Sequence, residues 1–147
     1  MILIAHRGNI NGPNPHNENR PEYILNTINK GYYVEIDIWY EDNKLYLGHD
    51  DTQYKINDDF LLSIQEKIFC HCKNIKALNY IIENYPQIEC FFHDTDDCVL
   101  TSKNHIWTYT GKELTTNSIS VMPEKVNQVP YNCYGVCSDY VINYIKS

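Results

Sequence analysis

Three short groups of residues near the start of the chain carry types that do chemistry together: Ala5-His6-Arg7-Gly8, Glu35-Ile36-Asp37 and Gly48-His49-Asp50. Glu35 and Asp37 are two apart, so on an extended segment their side chains share one face. Carboxylates held that close repel unless a proton or cation sits between them, and a hard cation such as Mg²⁺ or Ca²⁺ favours oxygen ligands. On the pair alone, a solvated strand face is an equal alternative. His6 follows four apolar residues and could be a hydrogen-bonded core histidine. Arg7 and Gly8 behind it would instead leave room for an anion at a strand mouth. His49 is followed by Asp50 and Asp51, which either orient the imidazole or simply make a turn. Two histidines can move protons in opposite directions while a cation and an arginine neutralise phosphoryl oxygens, which points to metal-assisted phosphodiester chemistry.

The elements that must position these groups follow from the hydrophobic pattern. Met1 to Ala5 is a continuous apolar run suited to a buried strand. Residues 8–21 are rich in Asn, Gly and Pro and form a loop. Pro21 and Glu22 suit a first helical turn, Tyr23, Ile24, Thr27 and Ile28 have helical spacing, and Gly31 is a stop. A strand is predicted over Tyr33 to Tyr40, with Lys44 to Gly48 folding back on it as a hairpin arm. A short helical piece is expected from Asp58 through Ile64, a strand from Lys67 to Cys72, and a helix over Asn74 to Tyr85 that Pro86 ends. Ile88 to Phe92 is a strand, and after it helices fade. Short strands are expected at His105–Thr110, Ser118–Met122 and Tyr134–Cys137, with a closing helix from Asp139 to Ile145. Strand and helix alternate in the front half, which implies an α/β fold with a parallel sheet and crossover helices. Functional groups in such folds gather at the carboxyl ends of the strands.

The 147 residues suit one domain over the whole chain, 1–147, and 43% hydrophobic residues can form a core. A net charge of -7 argues against non-specific nucleic-acid binding. The six cysteines, Cys70, Cys72, Cys90, Cys98, Cys133 and Cys137, come without a basic start or apolar run typical of a secretory signal, so reduced thiols and a cytoplasmic location are expected. No apolar run approaches the roughly 18 residues of a membrane span.

In order and spacing, Ala5-His6-Arg7-Gly8, Glu18-Asn19, Glu35-x-Asp37 and His49-Asp50 resemble the glycerophosphodiester phosphodiesterase family, firmly over residues 2–52 and loosely beyond. The resemblance implies a TIM-type (β/α) barrel, shortened here, with its later helices reduced to loops. It implies metal-dependent cleavage of a small phosphodiester, with a place in lipid metabolism. His6 and His49 would be general base and general acid, and Glu35 and Asp37 metal ligands. Arg7 would contact a phosphate oxygen, and Glu18 and Asn19 would shape the pocket rim.

The chain departs from that pattern at Phe69-Cys70-His71-Cys72-Lys73. Lys73 matches the family's phosphate-binding lysine, but His71 stands where a third, glutamate metal ligand is usual. Imidazole is softer and brings no charge, so the site would bind Mg²⁺ or Ca²⁺ more weakly, or take Mn²⁺ or Zn²⁺. Cys70 and Cys72 would point away from His71 as packed thiols. The faint likeness of residues 135–139 to the family's closing strand leaves Asp139 as a helix cap rather than a site residue. His93, Trp107, Tyr109 and Glu124 are weaker candidates at strand ends, and His16 reads as a solvated loop residue. Two further readings compete with the enzyme: a non-catalytic phosphodiester- or phosphosugar-binding protein on the same scaffold, and a structural subunit with packed histidines.

Overall fold

The computed structural model describes residues 1–146. Strand β1 (Ile2–His6) leads into helix α1 (Pro21–Asn29), strand β2 (Tyr33–Glu41) and the hairpin strands β3 (Lys44–Leu47) and β4 (Tyr54–Ile56). Helix α2 (Asp58–Ser63), strand β5 (Ile68–Cys72), helix α3 (Ile75–Asn84) and strand β6 (Glu89–Phe91) follow. The remainder is β7 (Cys98–Leu100), β8 (Ile106–Thr108), β9 (Ser118–Val121), a 3-10 turn (Pro123–Val126), β10 (Gly135–Ser138) and a last 3-10 turn (Val141–Tyr144).

The strands form one ten-stranded sheet. Its parallel part runs β6-β5-β2-β1-β10-β9-β8, while β3, β4 and β7 attach antiparallel. The sheet curls so that one face is concave. The concave core is Ile4, Phe69, Phe91, Trp107, Ile119 and Cys137. The convex face carries the larger core, where Val34, Ile36, Ile38, Ile68, Cys70 and Cys72 pack under the helices. Each fully buried aliphatic side chain there contributes roughly 1.5–3 kcal/mol over its exposed form.

The expected shortened TIM-type barrel is not what forms. Only three α-helices are present among the described residues, all before Tyr85, so helices do not alternate with the later strands. The sheet is mixed, and β6 and β8 share no ladder; across that seam the rings of Phe91 and Trp107 stack at 4.2 Å between centroids, and Ser102 N, between β7 and β8, donates to the Cys90 carbonyl at 2.9 Å. The molecule is therefore a curled mixed sheet, a half-barrel. The physical reason lies in the connections after β6. Asn104, Gly111, Met122, Asn127 and Asn132 all adopt left-handed backbone, which breaks any helix. The closing helix expected at 139–145 is likewise only a 3-10 turn.

Local sequence explains the helices that do form. Asn57 accepts a hydrogen bond from Phe60 N at 2.8 Å and caps α2, and Asn74 accepts from Ala77 N at 3.0 Å and caps α3. In α3, Ala77 and Ile81 are buried, but Ile75 and Ile82 of the expected apolar stripe are exposed. No helix among the described residues is long and apolar enough to cross a membrane.

Candidate metal centre and active site

Register places the chemistry. Parallel pairing sets His6, at the carboxyl end of β1, beside Glu35, and His71, near the carboxyl end of β5, beside Asp37 in the middle of β2. On β2, Val34, Ile36 and Ile38 face the helices, so Glu35 and Asp37 face the concave side, each 1% exposed. The same alternation turns His71 inward and buries Cys70 and Cys72 behind it.

His71 Nδ1 lies 3.4 Å from Asp37 Oδ1 and 3.7 Å from Glu35 Oε1. These two carboxylate oxygens are buried and accept no hydrogen bond. His71 Nε2 is 3.0 Å from the carbonyl of His93, which only an N–H at that position can satisfy. In the neutral ring the lone pair is therefore on Nδ1, directed at the two orphaned oxygens. One ligand atom from each of Glu35, Asp37 and His71 lies within 4.8 Å of the others. Two buried carboxylate oxygens and a partly buried imidazole nitrogen meeting without a donor cost free energy unless a proton or cation lies among them. The residues present thus fit a divalent cation. Ligands at right angles lie about 3.0 Å apart at 2.1 Å bond lengths and about 3.4 Å at 2.4 Å, so the gap admits ions of either size.

A second ring of contacts holds the three. Asn19 grips Asp37 twice: its amide donates to Oδ2 at 2.8 Å, and its Oδ1 accepts from Asp37 N at 3.0 Å. Asn19 is buried with φ 67 and positions Asp37, and with Glu18 it also lines a cleft beside Arg7 and His49. Glu18 accepts from Arg7 at 3.3 Å, from Asn9 at 3.0 Å and from Asn14 N at 2.6 Å. Arg7, itself left-handed at φ 56, also reaches His49 Nδ1 at 2.5 Å and sets Nε 3.2 Å from Asp37 Oδ2. Burial opposes the charge on Arg7, but Asp37 and Glu35 outweigh it and raise its pKa.

Two glycines allow these approaches. A Cβ on Gly8, at φ 92, would meet the Tyr23 ring at 2.6 Å, and one on Gly48 would meet the Asp51 carbonyl at 2.0 Å. Trp39 donates to the Gly48 carbonyl at 2.7 Å, which fixes the arm that presents His49.

His6 Nδ1 is 2.8 Å from Asp139 Oδ1, and its Nε2 is 3.7 Å from Glu35 Oε2. Burial works against protonating His6, yet Asp139 and Glu35 prevail and raise its pKa. Asp139 also accepts from Asn9 at 2.8 Å, and despite burial these partners hold its pKa down. Asp139, expected as a helix cap, is thus the residue that orients His6. For Asp37, burial alone would favour the neutral acid, but the neighbouring imidazoles of His49 and His71 and the Arg7 charge drive its pKa well below the usual range. In His71 the same carboxylates overcome burial and raise its pKa to about 9.

His6, Arg7, Glu35, His49 and His71 line one cavity of about 420 Å³, together with His93, Trp107 and Tyr109. Lys73, expected to bind phosphate, does not line it; Lys125 does. Glu124 accepts from Ser138 and Tyr144 instead of facing a ligand. All six cysteines are free thiols. Sequence reasoning missed Asp139, Asn9 and Lys125. A Ser-Asp turn ending a strand was a signal for the first; nothing local marks the others. The place in lipid metabolism receives no support and is withdrawn. No protein-family model matches this chain, and neither curated proteins nor solved structures yield a match.

Proposed function

We propose that the protein is a divalent-metal-dependent phosphodiesterase acting on small phosphodiesters of the glycerophosphodiester kind. One observation carries the reading: the orphaned oxygens of Glu35 and Asp37 and the Nδ1 of His71 converge beside a cavity that three further histidines and an arginine also line. The motif order over residues 5–50, with its resemblance to the glycerophosphodiester phosphodiesterases, supports the same chemistry.

Glu35, Asp37 and His71 would hold Mg²⁺ or Ca²⁺, or Mn²⁺ or Zn²⁺, which would polarise the phosphoryl oxygens. His6, with Nδ1 tied to Asp139, keeps Nε2 available to take a proton from the attacking water or substrate hydroxyl. His49 has its side chain 41% exposed and can return a proton to the leaving oxygen. Arg7, bracketed by Glu18 and Asp37, steadies negative charge at the cavity floor. The net charge of -7 is in keeping with a small-molecule substrate rather than nucleic acid, and the free thiols with a cytoplasmic setting.

The test is hydrolysis of bis(4-nitrophenyl) phosphate and of glycerophosphodiesters with each of the four ions. Turnover is expected with at least one ion and is expected to disappear in His6→Ala, His49→Ala and Glu35→Ala. Activity that survives all three substitutions overturns the assignment. A second reading, binding without cleavage, is favoured by one contact: the Arg7 guanidinium is already taken by Glu18 and His49. Metal-dependent binding of the diester with no turnover under any ion would select it.

A further inference from the structure

The segment after β9 forms a strap over the cavity. It begins at Met122 and ends at Asn127, both left-handed with φ 49 and φ 53. A left-handed methionine is costly, and such strain persists only where surrounding contacts enforce it. They do so here. Met122 N donates to the Cys137 carbonyl at 2.8 Å, and Glu124 accepts from Ser138 Oγ at 2.9 Å and from Tyr144 at 3.2 Å. The strap therefore has a set position, and it delivers Met122, Lys125 and Val126 to the cavity wall.

Apart from the histidines, the charged side chains lining that cavity are Glu35, Arg7 and Lys125. Glu35 belongs to the candidate metal ligands. Arg7 is paired with Glu18 and Asp37. Lys125 is exposed and has no ion pair among the described residues. Around the curl, β1 and β10 separate β2, which carries Glu35 and Asp37, from β9, so Lys125 enters from a different arc than the triad. Its neighbours on the wall, Trp107, Tyr109, Val121, Met122 and Val126, carry no charge.

We propose that Lys125 is the substrate-binding cation of this cavity, and that the cavity selects a singly charged phosphodiester with an uncharged arm lying on the Trp107–Val126 wall. Lys125 would take the role that sequence order assigns to Lys73. One unpaired ammonium matches the single charge of a phosphodiester. A phosphomonoester would bring a second charge for which the wall offers no partner, and an ionic arm would meet Trp107, Tyr109, Thr110, Val121, Met122 and Val126, none of which carries a charge.

This proposal rests on the phosphodiesterase reading, and the experiment separates them. Metal-loaded wild type, Lys125→Met and Lys125→Arg are compared in turnover of bis(4-nitrophenyl) phosphate and 4-nitrophenyl phosphate, and in calorimetric binding of dimethyl phosphate. Lys125 is exposed, so neither substitution removes core packing. Lys125→Met is expected to raise KM for the diester, and Kd for dimethyl phosphate, about tenfold with kcat within about threefold, and Lys125→Arg to restore most of the loss. Wild type is expected to prefer the diester to the monoester by at least about tenfold in kcat/KM. A wild type that turns over, with KM in Lys125→Met unchanged within about twofold or with the monoester preferred, overturns this proposal and leaves the phosphodiesterase reading standing. Lys125-dependent binding without turnover does the reverse. Neither binding nor turnover overturns both.

Discussion

Nδ1 of His71 stands 3.4 Å from Oδ1 of Asp37, while the opposite ring nitrogen is committed to the His93 carbonyl. This pins the ring with its variable nitrogen facing two carboxylates. A proton on His71 would therefore occupy the place that a cation takes in the proposed reading.

The first prediction concerns that exchange. Burial opposes charging His71, but Asp37 and Glu35 raise its pKa to about 9, above the ordinary 6.5. A raised histidine contributes stability to the metal-free protein that is full below pH 6.5 and lost as pH climbs through about 9. Metal-free protein is thus expected to lose Tm from pH 6.5 to 9, and cation binding to release close to one proton at pH 7. Calorimetry in buffers of different ionisation enthalpy counts that proton, and finding none would refute the exchange.

Cation binding is expected to stabilise the fold. At a free ion concentration of about 100 Kd the gain is about 2.7 kcal/mol, or about 5–10 °C in Tm for a chain of this size. Asp37→Asn and Glu35→Gln are each expected to abolish most of the shift. Differential scanning fluorimetry with and without chelator measures it.

Asn19 should matter without touching the cation itself. Losing both of its bonds to Asp37 frees that carboxylate to turn, and Asn19→Gly, which tolerates the left-handed backbone, isolates the effect. Metal affinity is expected to fall about 10–100-fold with the fold retained. Isothermal titration gives the affinity, and circular dichroism checks the fold.

Asp139→Asn tests the orientation of His6. The variant keeps the shape but removes the charge that helps raise the His6 pKa. Turnover is expected to drop by about 10²-fold in kcat with little change in KM. If His6 is the base, the acid limb of the kcat profile moves to lower pH, because a less supported imidazole loses its proton earlier. A pH–rate profile of the variant reads both effects.

Gly8→Ala is a test of the fold itself. The new methyl would meet the Tyr23 ring at 2.6 Å on a backbone with φ 92. A loss of about 1–3 kcal/mol in urea unfolding is expected.

Much of the candidate metal centre was legible in the chain because it depends on period-two alternation. The apolar residues at 34, 36 and 38 must face the helices, so Glu35 and Asp37 face the other way whatever the rest of the fold does. The same parity turned His71 inward and Cys70 and Cys72 outward. The caps of α2 and α3 at Asn57 and Asn74 are likewise local, each bonding a backbone amide three residues on.

What lay beyond the chain's own pattern was every decision made between distant segments. Asp139 meets His6 across 133 positions, and only the parallel pairing of β1 with β10 brings them together. Nothing in the spacing of Lys73 and Lys125 tells which one lines the cavity; the strap and its bonds to Ser138 and Tyr144 decide that. The resemblance also misled on architecture. A local motif governs only the strands that carry it, whereas the course of the sheet after β6 depends on left-handed turns and on a seam between β6 and β8 that no ladder spans. Alternation sets which way a side chain faces, and only long-range pairing sets what it meets.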